Sequence, residues 1–235
     1  MRIFIEQSKQ AVAERAAGLI FENLANTDGP FGVATGSTPT PIYEELSKLE
    51  ISPSMKMFAL DEYFQIDPNH PSSFQQTLIR ELVHPCGFSE DNLHLPPASA
   101  DESEIEKFEA LLNELGPVKI QLLGIGSNGH IAFNEPGSDP ESTTRKVKLH
   151  QTTIVDNQRH FEGEMPRFAV TQGIANIMRS EALLLVARGK HKAKALASLF
   201  GVGDLTPASH LAKHPNLIIV ADSDAGALIE SESQS

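Results

Sequence analysis

The chain has 235 residues, and its 19 Lys+Arg against 31 Asp+Glu give a formal net charge of −12, which excludes nucleic acid as a general partner because a phosphate backbone needs a basic face. Its length suffices to bury roughly 70–75% of the unfolded surface without staples, and the single Cys86 excludes an intramolecular disulfide and suits a reducing compartment. Met1-Arg-Ile-Phe-Ile-Glu-Gln lacks a secretion-signal pattern and no window approaches the roughly 20 apolar residues of a membrane span, so a cytoplasmic protein without a membrane partner is expected.

Apolar runs and helical patterns alternate along the chain. Residues 3–5 read as a short strand, and Ser8 as the N-cap of a helix reaching about Leu24. Residues 31–35 form a second strand, followed after a Gly-Ser-Thr-Pro turn by a helix over 41–49. A third strand over 55–60 ends at Asp61-Glu62; Ser72 or Ser73 then caps a helix to about Val83, and 102–115 is another helix. Residues 119–125, 182–187 and 217–221 are further strands, with helices between them at 172–178 and 191–200, and 145–149 reads as a shorter, less buried strand. This pattern predicts an α/β fold: a single-domain, mainly parallel Rossmann-like sheet with helices on both faces. No Gly-, Ser- or Pro-rich linker divides the chain, so residues 1–235 are expected as one domain, with the polar stretch 230–235 a frayed tail.

Three places carry chemistry. Thr35-Gly-Ser-Thr-Pro39 lies between a strand and a helix, where Gly36, the hydroxyls of Ser37 and Thr38 and the helix N-terminus suit an anion; a simple helix cap is the equal alternative. Asp61 and Glu62 end the third strand, where neighbours point to opposite faces, so only one of the pair is expected to enter a site; a helix-cap or loop carboxylate is the alternative reading of the dipeptide. Residues 120–125 lead into a glycine-rich turn that presents Asn128, His130 and Glu135 within eight residues, an imidazole set for proton transfer beside an amide and a carboxylate. His130 and Glu135 lack the spacing of a helical metal motif, and one cysteine supplies no thiolate cluster, so no metal is expected. Arg145 and Arg159 flank a polar stretch, and Gly189-Lys-His-Lys-Ala-Lys194 places cations at a helix start, an arrangement that an anion held among them would account for.

Together these segments resemble the glucosamine-6-phosphate deaminase family. The resemblance rests on Ala34-Thr-Gly-Ser-Thr-Pro39, Leu60-Asp-Glu-Tyr63 with His70-Pro71, and Gly124-Ile-Gly-Ser-Asn-Gly-His-Ile-Ala-Phe-Asn-Glu-Pro136. Thr171 with Gly173, Gly189-Lys-His-Lys192, Pro207-Ala-Ser209 and His214-Pro215 follow in family order. It implies conversion of glucosamine 6-phosphate and water into fructose 6-phosphate and ammonia, an isomerisation coupled to deamination with no obligatory cofactor. Carried over to this sequence, His130 opens the sugar ring with Asn128 and Glu135 in support, Asp61 moves the C2 proton, and Gly36, Ser37 and Thr38 hold the phosphate with Arg159 and Lys192. The short form of the family implies a monomer. In the effector region of its allosteric members Ser138 and Arg145 match, whereas Val147 stands where a lysine is expected and the C-terminal extension of those members has no counterpart, so allosteric activation is not expected. A 6-phosphogluconolactonase shares the glycine loop and the Gly-His segment, but Phe133-Asn-Glu135 and Leu60-Asp-Glu-Tyr63 favour the deaminase. A non-catalytic sugar-phosphate sensor would not need Asp61, His130 and Glu135 together.

Overall fold

Ser8 separates the first two elements: its hydroxyl accepts the Ala11 amide hydrogen at 3.1 Å, capping one of the donors that a helix start leaves orphaned. β1 (Arg2–Glu6) thereby passes into α1 (Lys9–Leu24), whose Val12, Ala13, Ala16, Ile20 and Leu24 recur at helical spacing and are buried. In the computed structural model, which describes residues 1–25, 27–159 and 161–230, there follow β2 (Phe31–Val33), α2 (Thr40–Leu46), β3 (Met57–Ala59) and β4 (Asp61–Tyr63). α3 (Phe74–Leu78) runs through a π-helical turn, Ile79–Val83, into α4 (His84–Cys86). Beyond it lie β5 (Leu93–His94), α5 (Glu102–Leu115), β6 (Ile120–Leu123), β7 (Arg145–Lys148), α6 (Gln151–Gln158), β8 (Phe168–Thr171) and α7 (Ile174–Met178). β9 (Leu183–Ala187), α8 (Ala193–Ala197), β10 (Leu217–Asp222) and α9 (Ser223–Glu230) complete the order.

Seven of these strands form one parallel sheet in the order β1-β10-β9-β6-β2-β3-β5. Its central strands β6, β9 and β10 are buried along their whole length, the pattern of a sheet covered on both faces. In β3 the alternation assigns the helices to faces. Phe58 packs on Phe108 and Leu112 of α5, while Met57 and Ala59 point the other way into the main core with α1 and α2.

The expected third strand differs from the one observed. It does not run on to Asp61-Glu62: the Gln172 amide donates to Leu60 O at 2.7 Å and Gln172 Nε2 to Ala59 O at 2.8 Å. With those carbonyls taken, the chain leaves the parallel sheet, and β4 opens a separate antiparallel sheet, β4-β8-β7, with Asp61 opposite Thr171 and Thr171 opposite Arg145. This second sheet has its own small core of Tyr63, Ile66, Phe133, Leu149, Met165 and Ala169. The strand expected at 145–149 belongs here rather than to the parallel sheet. The polar stretch before Arg159 is helical, as α6, and the helix expected over 191–200 is broken into 3₁₀ turns on either side of α8. Of the expected frayed tail, Glu230 closes α9 and 231–235 lie outside the described residues. No helix among the described residues is long and apolar enough to cross a membrane.

Candidate active site

The parallel strands β2 and β6 end at a cavity of about 800 Å³, whose walls include residues 34–40, Leu60, Asp61, 124–127 and His130. That is the carboxyl edge of an α/β sheet, where such folds bind ligands. The loop after β2 is shaped by two features of its sequence. Gly36 has φ +111°, a backbone state that side chains disfavour. Tyr43, one of the chain's two tyrosines, reaches back from α2: its Oη accepts the Ala34 N–H at 3.0 Å and donates to Ala34 O at 2.6 Å. Gly36, Ser37 and Thr38 line the cavity, and so do Arg159, at the C-terminal end of α6, and Lys192, in the 3₁₀ turn after β9. The three neutral donors and two cations singled out in the sequence thus share one cavity.

The second group comes from the turn after β6. His130 Nδ1 lies 2.8 Å from Asn128 Oδ1 and 3.5 Å from Glu135 Oε2, so the amide, not the carboxylate, is its direct partner. Asn128 Nδ2 in turn donates to Glu135 Oε2 at 2.9 Å. A carboxylate only accepts, which assigns the amide orientation; Asn128 Oδ1 then faces His130 and requires the hydrogen on Nδ1. The lone pair of the neutral ring is left on Nε2. Thr153 Oγ1 of α6 donates to the other oxygen, Glu135 Oε1, at 2.5 Å. Burial alone would push the Glu135 carboxyl up; the nearby His130 ring and the bonds from Thr153 and Asn128 outweigh it and hold the group at about 2. The ring sits against bare backbone, since a Cβ on Gly126 would come 2.3 Å from His130 Nδ1 and Cε1. Asn134, fully buried, donates to Ile131 O at 3.1 Å and Gln172 O at 2.9 Å, closing the turn that returns Glu135 toward His130.

Asp61 and Glu62 part company as strand neighbours must. Asp61 lines the cavity and is 7% exposed; burial, helped by the nearby Glu62 charge, pushes its carboxyl up to about 8. Glu62 points away and accepts the backbone N–H groups of Tyr63, Phe74 and Gln75 at 2.8, 3.0 and 2.9 Å, so it serves as a cap on the start of α3. Sequence reading did not single out Tyr43, Thr153 or Asn157, which donates to Tyr63 Oη at 3.2 Å. Thr153 and Asn157 sit four apart on one face of a short helix, a spacing visible in the sequence once that helix is known. Among the described residues no group of three or more His, Cys, Asp or Glu side chains is placed to hold a metal ion.

The profile of the family described as "Glucosamine-6-phosphate isomerases/6-phosphogluconolactonase" matches residues 6–219. The chain belongs to that family. Glucosamine-6-phosphate deaminase from Pseudoalteromonas translucida is 39% identical over 246 residues, covering 99% of this chain and 91% of the relative. Glucosamine-6-phosphate deaminase 2 from Bacillus subtilis is 36% identical, covering 99% of both. Among solved structures, a protein described as a monomeric glucosamine-6-phosphate deaminase superposes with a TM-score of 0.92 at 32% identity, covering 97% of this chain and all of that one. The 6-phosphogluconolactonase from Trypanosoma brucei has a TM-score of 0.77 at 18% identity over 96% and 97% of the two chains, a likeness of fold alone. The mainly parallel α/β fold expected from the sequence is therefore the fold of the family.

Proposed function

We propose that the chain converts glucosamine 6-phosphate and water into fructose 6-phosphate and ammonia. The observation that carries this reading is the presence, in one cavity, of a buried carboxyl of raised pKa and an imidazole held through an amide by a carboxylate. Isomerisation of an amino sugar asks for both groups. The sugar phosphate binds with its phosphate among Gly36, Ser37, Thr38, Arg159 and Lys192, and its ring toward His130. His130 Nε2 takes the proton of the C1 hydroxyl and passes it to the ring oxygen, which leaves C1 as an aldehyde. Asp61 then draws the proton from C2 while the substrate's ammonium group passes a proton to O1, giving an enolamine, and Asp61 delivers its proton to C1. The resulting C2 imine adds water and loses ammonia, leaving the ketone. Ring opening needs a base that works near neutrality on a hydroxyl, whereas C2 needs a stronger base shielded from water, and the two environments differ in that sense.

The two glucosamine-6-phosphate deaminases at 36–39% identity support the same substrate, and the relative described as monomeric supports a monomer here. A cytoplasmic location fits a phosphorylated substrate and a single cysteine. The test is incubation with glucosamine 6-phosphate while ammonia and fructose 6-phosphate are both measured. Equal amounts of the two are expected, and folded protein that forms neither would refute the assignment.

A further inference from the structure

The strands that end around the phosphate cradle lie in the order β10-β9-β6-β2. β6 therefore separates the turn after β9, which carries Lys192, from the loop after β2, which carries Gly36, Ser37 and Thr38. Arg188, the first residue beyond β9, bridges that gap: its Nη2 donates to the Ser37 carbonyl oxygen. The turn that Arg188 begins is fixed from the other side. Asp222, the last residue of β10, accepts the Gly189 N–H with both carboxylate oxygens at 2.9 Å and the Ala225 N–H at 2.8 Å. Partial burial disfavours the Arg188 charge, and the Asp222 carboxylate opposes that effect. Asp222 and Arg188 thus form a transverse tie from β10, over β6, to the loop after β2.

We propose that Arg188 is a positioning residue of the phosphate site, holding the Ser37 loop and the Lys192 turn at one spacing before the ligand arrives. The inference rests on the reading of this cavity as a sugar-phosphate site. Arg188 is not among the residues that line the cavity, so it acts through the loop. A trans peptide sets the Ser37 carbonyl and the Thr38 N–H antiparallel. With the carbonyl oxygen drawn toward Arg188, the Thr38 N–H is aimed the opposite way, and a carbonyl that would repel an anion is turned aside. Gly36, in its left-handed conformation, leaves the loop free to rotate unless something fixes it. Tyr43 fixes the entry at Ala34, and Arg188 fixes the middle at Ser37. Fixing both edges beforehand removes ordering cost from binding.

The experiment compares wild type, Arg188→Met and Arg188→Lys. It measures steady-state kinetics with glucosamine 6-phosphate, calorimetric affinity for fructose 6-phosphate, and hydrogen exchange of the segment 34–40. Arg188→Met keeps the stem and loses the donors; Arg188→Ala replaces it if the Met variant does not fold. The expected result is a rise of about five- to twentyfold in KM and Kd, kcat within about twofold, and faster exchange in segment 34–40. Arg188→Lys, with one donor restored, should recover at least half of the affinity and slow the exchange again. Wild-type affinity with wild-type exchange in Arg188→Met would overturn the inference alone. Recovery of affinity in Arg188→Lys with exchange still fast would overturn it too, since charge at a distance would then suffice. Wild type that binds neither sugar phosphate would overturn both the phosphate site and this inference.

Discussion

Asp61 shows what a buried carboxyl gains and loses. At about 8 it is a far stronger base than a solvated aspartate, yet at neutrality much of it is protonated. kcat/KM should therefore rise with pH and level off above about 8, and a profile already flat at pH 6 would contradict the role assigned to Asp61. The same shift has a thermodynamic sign. Between the unfolded value of 3.8 and the folded value of about 8, the native state keeps a proton that the unfolded chain has released, so stability falls as pH rises across that window. Asp61→Asn removes the penalty. At pH 9 it should melt higher than wild type, by about 2–4 °C for each kcal/mol recovered, while losing exchange of the substrate C2 proton with solvent. A variant that melts lower, or still exchanges C2 at the wild-type rate, would refute the argument. Glu135 is the opposite case, a carboxyl held at about 2 by its neighbours. Glu135→Gln keeps the shape but takes the charge from behind Asn128, so His130 loses support for the cation it becomes during ring opening. Turnover of the cyclic substrate should fall about ten- to hundredfold, and turnover of an open-chain analogue much less; equal losses on both would remove Glu135 from ring opening.

At the scale of elements, α6 is the part whose role its composition hides. Gln-Thr-Thr-Ile-Val-Asp-Asn-Gln is polar and β-branched, a weak helix former by propensity. Its packing includes Ile154 against the cluster around Tyr63 and Phe133, and its side chains bond outward, Thr153 to Glu135 at 2.5 Å and Asn157 to Tyr63 at 3.2 Å, with Arg159 following at its end. Thr153→Val, which keeps the volume and removes the donor, should raise KM for the sugar phosphate about five- to tenfold, because the cation at the helix end loses its fixed position. Unchanged KM and kcat would show that α6 is held without that bond. The same physics decides what could be read from sequence. β6, β9 and β10 were legible because strands buried on both faces must be continuously apolar, and α1 because Ser8 caps a clear apolar stripe. β4 was not, since Asp-Glu-Tyr has no strand pattern; it is a strand because Thr171, Val170 and Ala169 pair with it and three backbone donors satisfy Glu62. The residues brought into the cavity were legible as chemistry. Their supports, Tyr43, Thr153 and Arg188, were not, because each acts through a partner in another element or loop that only the fold brings near.

On the scale of the whole molecule, the arrangement bears on regulation. Asp61, His130, Arg159 and Lys192 reach one cavity from a single chain. Sigmoidal kinetics require sites coupled through an element with two global states. Such coupling by an anionic effector would need cations gathered near the second sheet; on β7 Lys146 lies over the Phe64 and Phe168 rings, and the side chain of Val147 packs on the cluster around Tyr63 and Phe133. An aliphatic residue offers no charge to a phosphate, and Arg145, two residues earlier, is turned to the Thr143 carbonyl at 3.3 Å. The rate against glucosamine 6-phosphate should therefore be hyperbolic, with a Hill coefficient of about 1, and should stay so when N-acetylglucosamine 6-phosphate is added. Light scattering at assay concentration should return the mass of one chain. A sigmoidal curve that the N-acetylated compound makes hyperbolic would overturn this, and so would a stable oligomer whose dissociation abolishes activity.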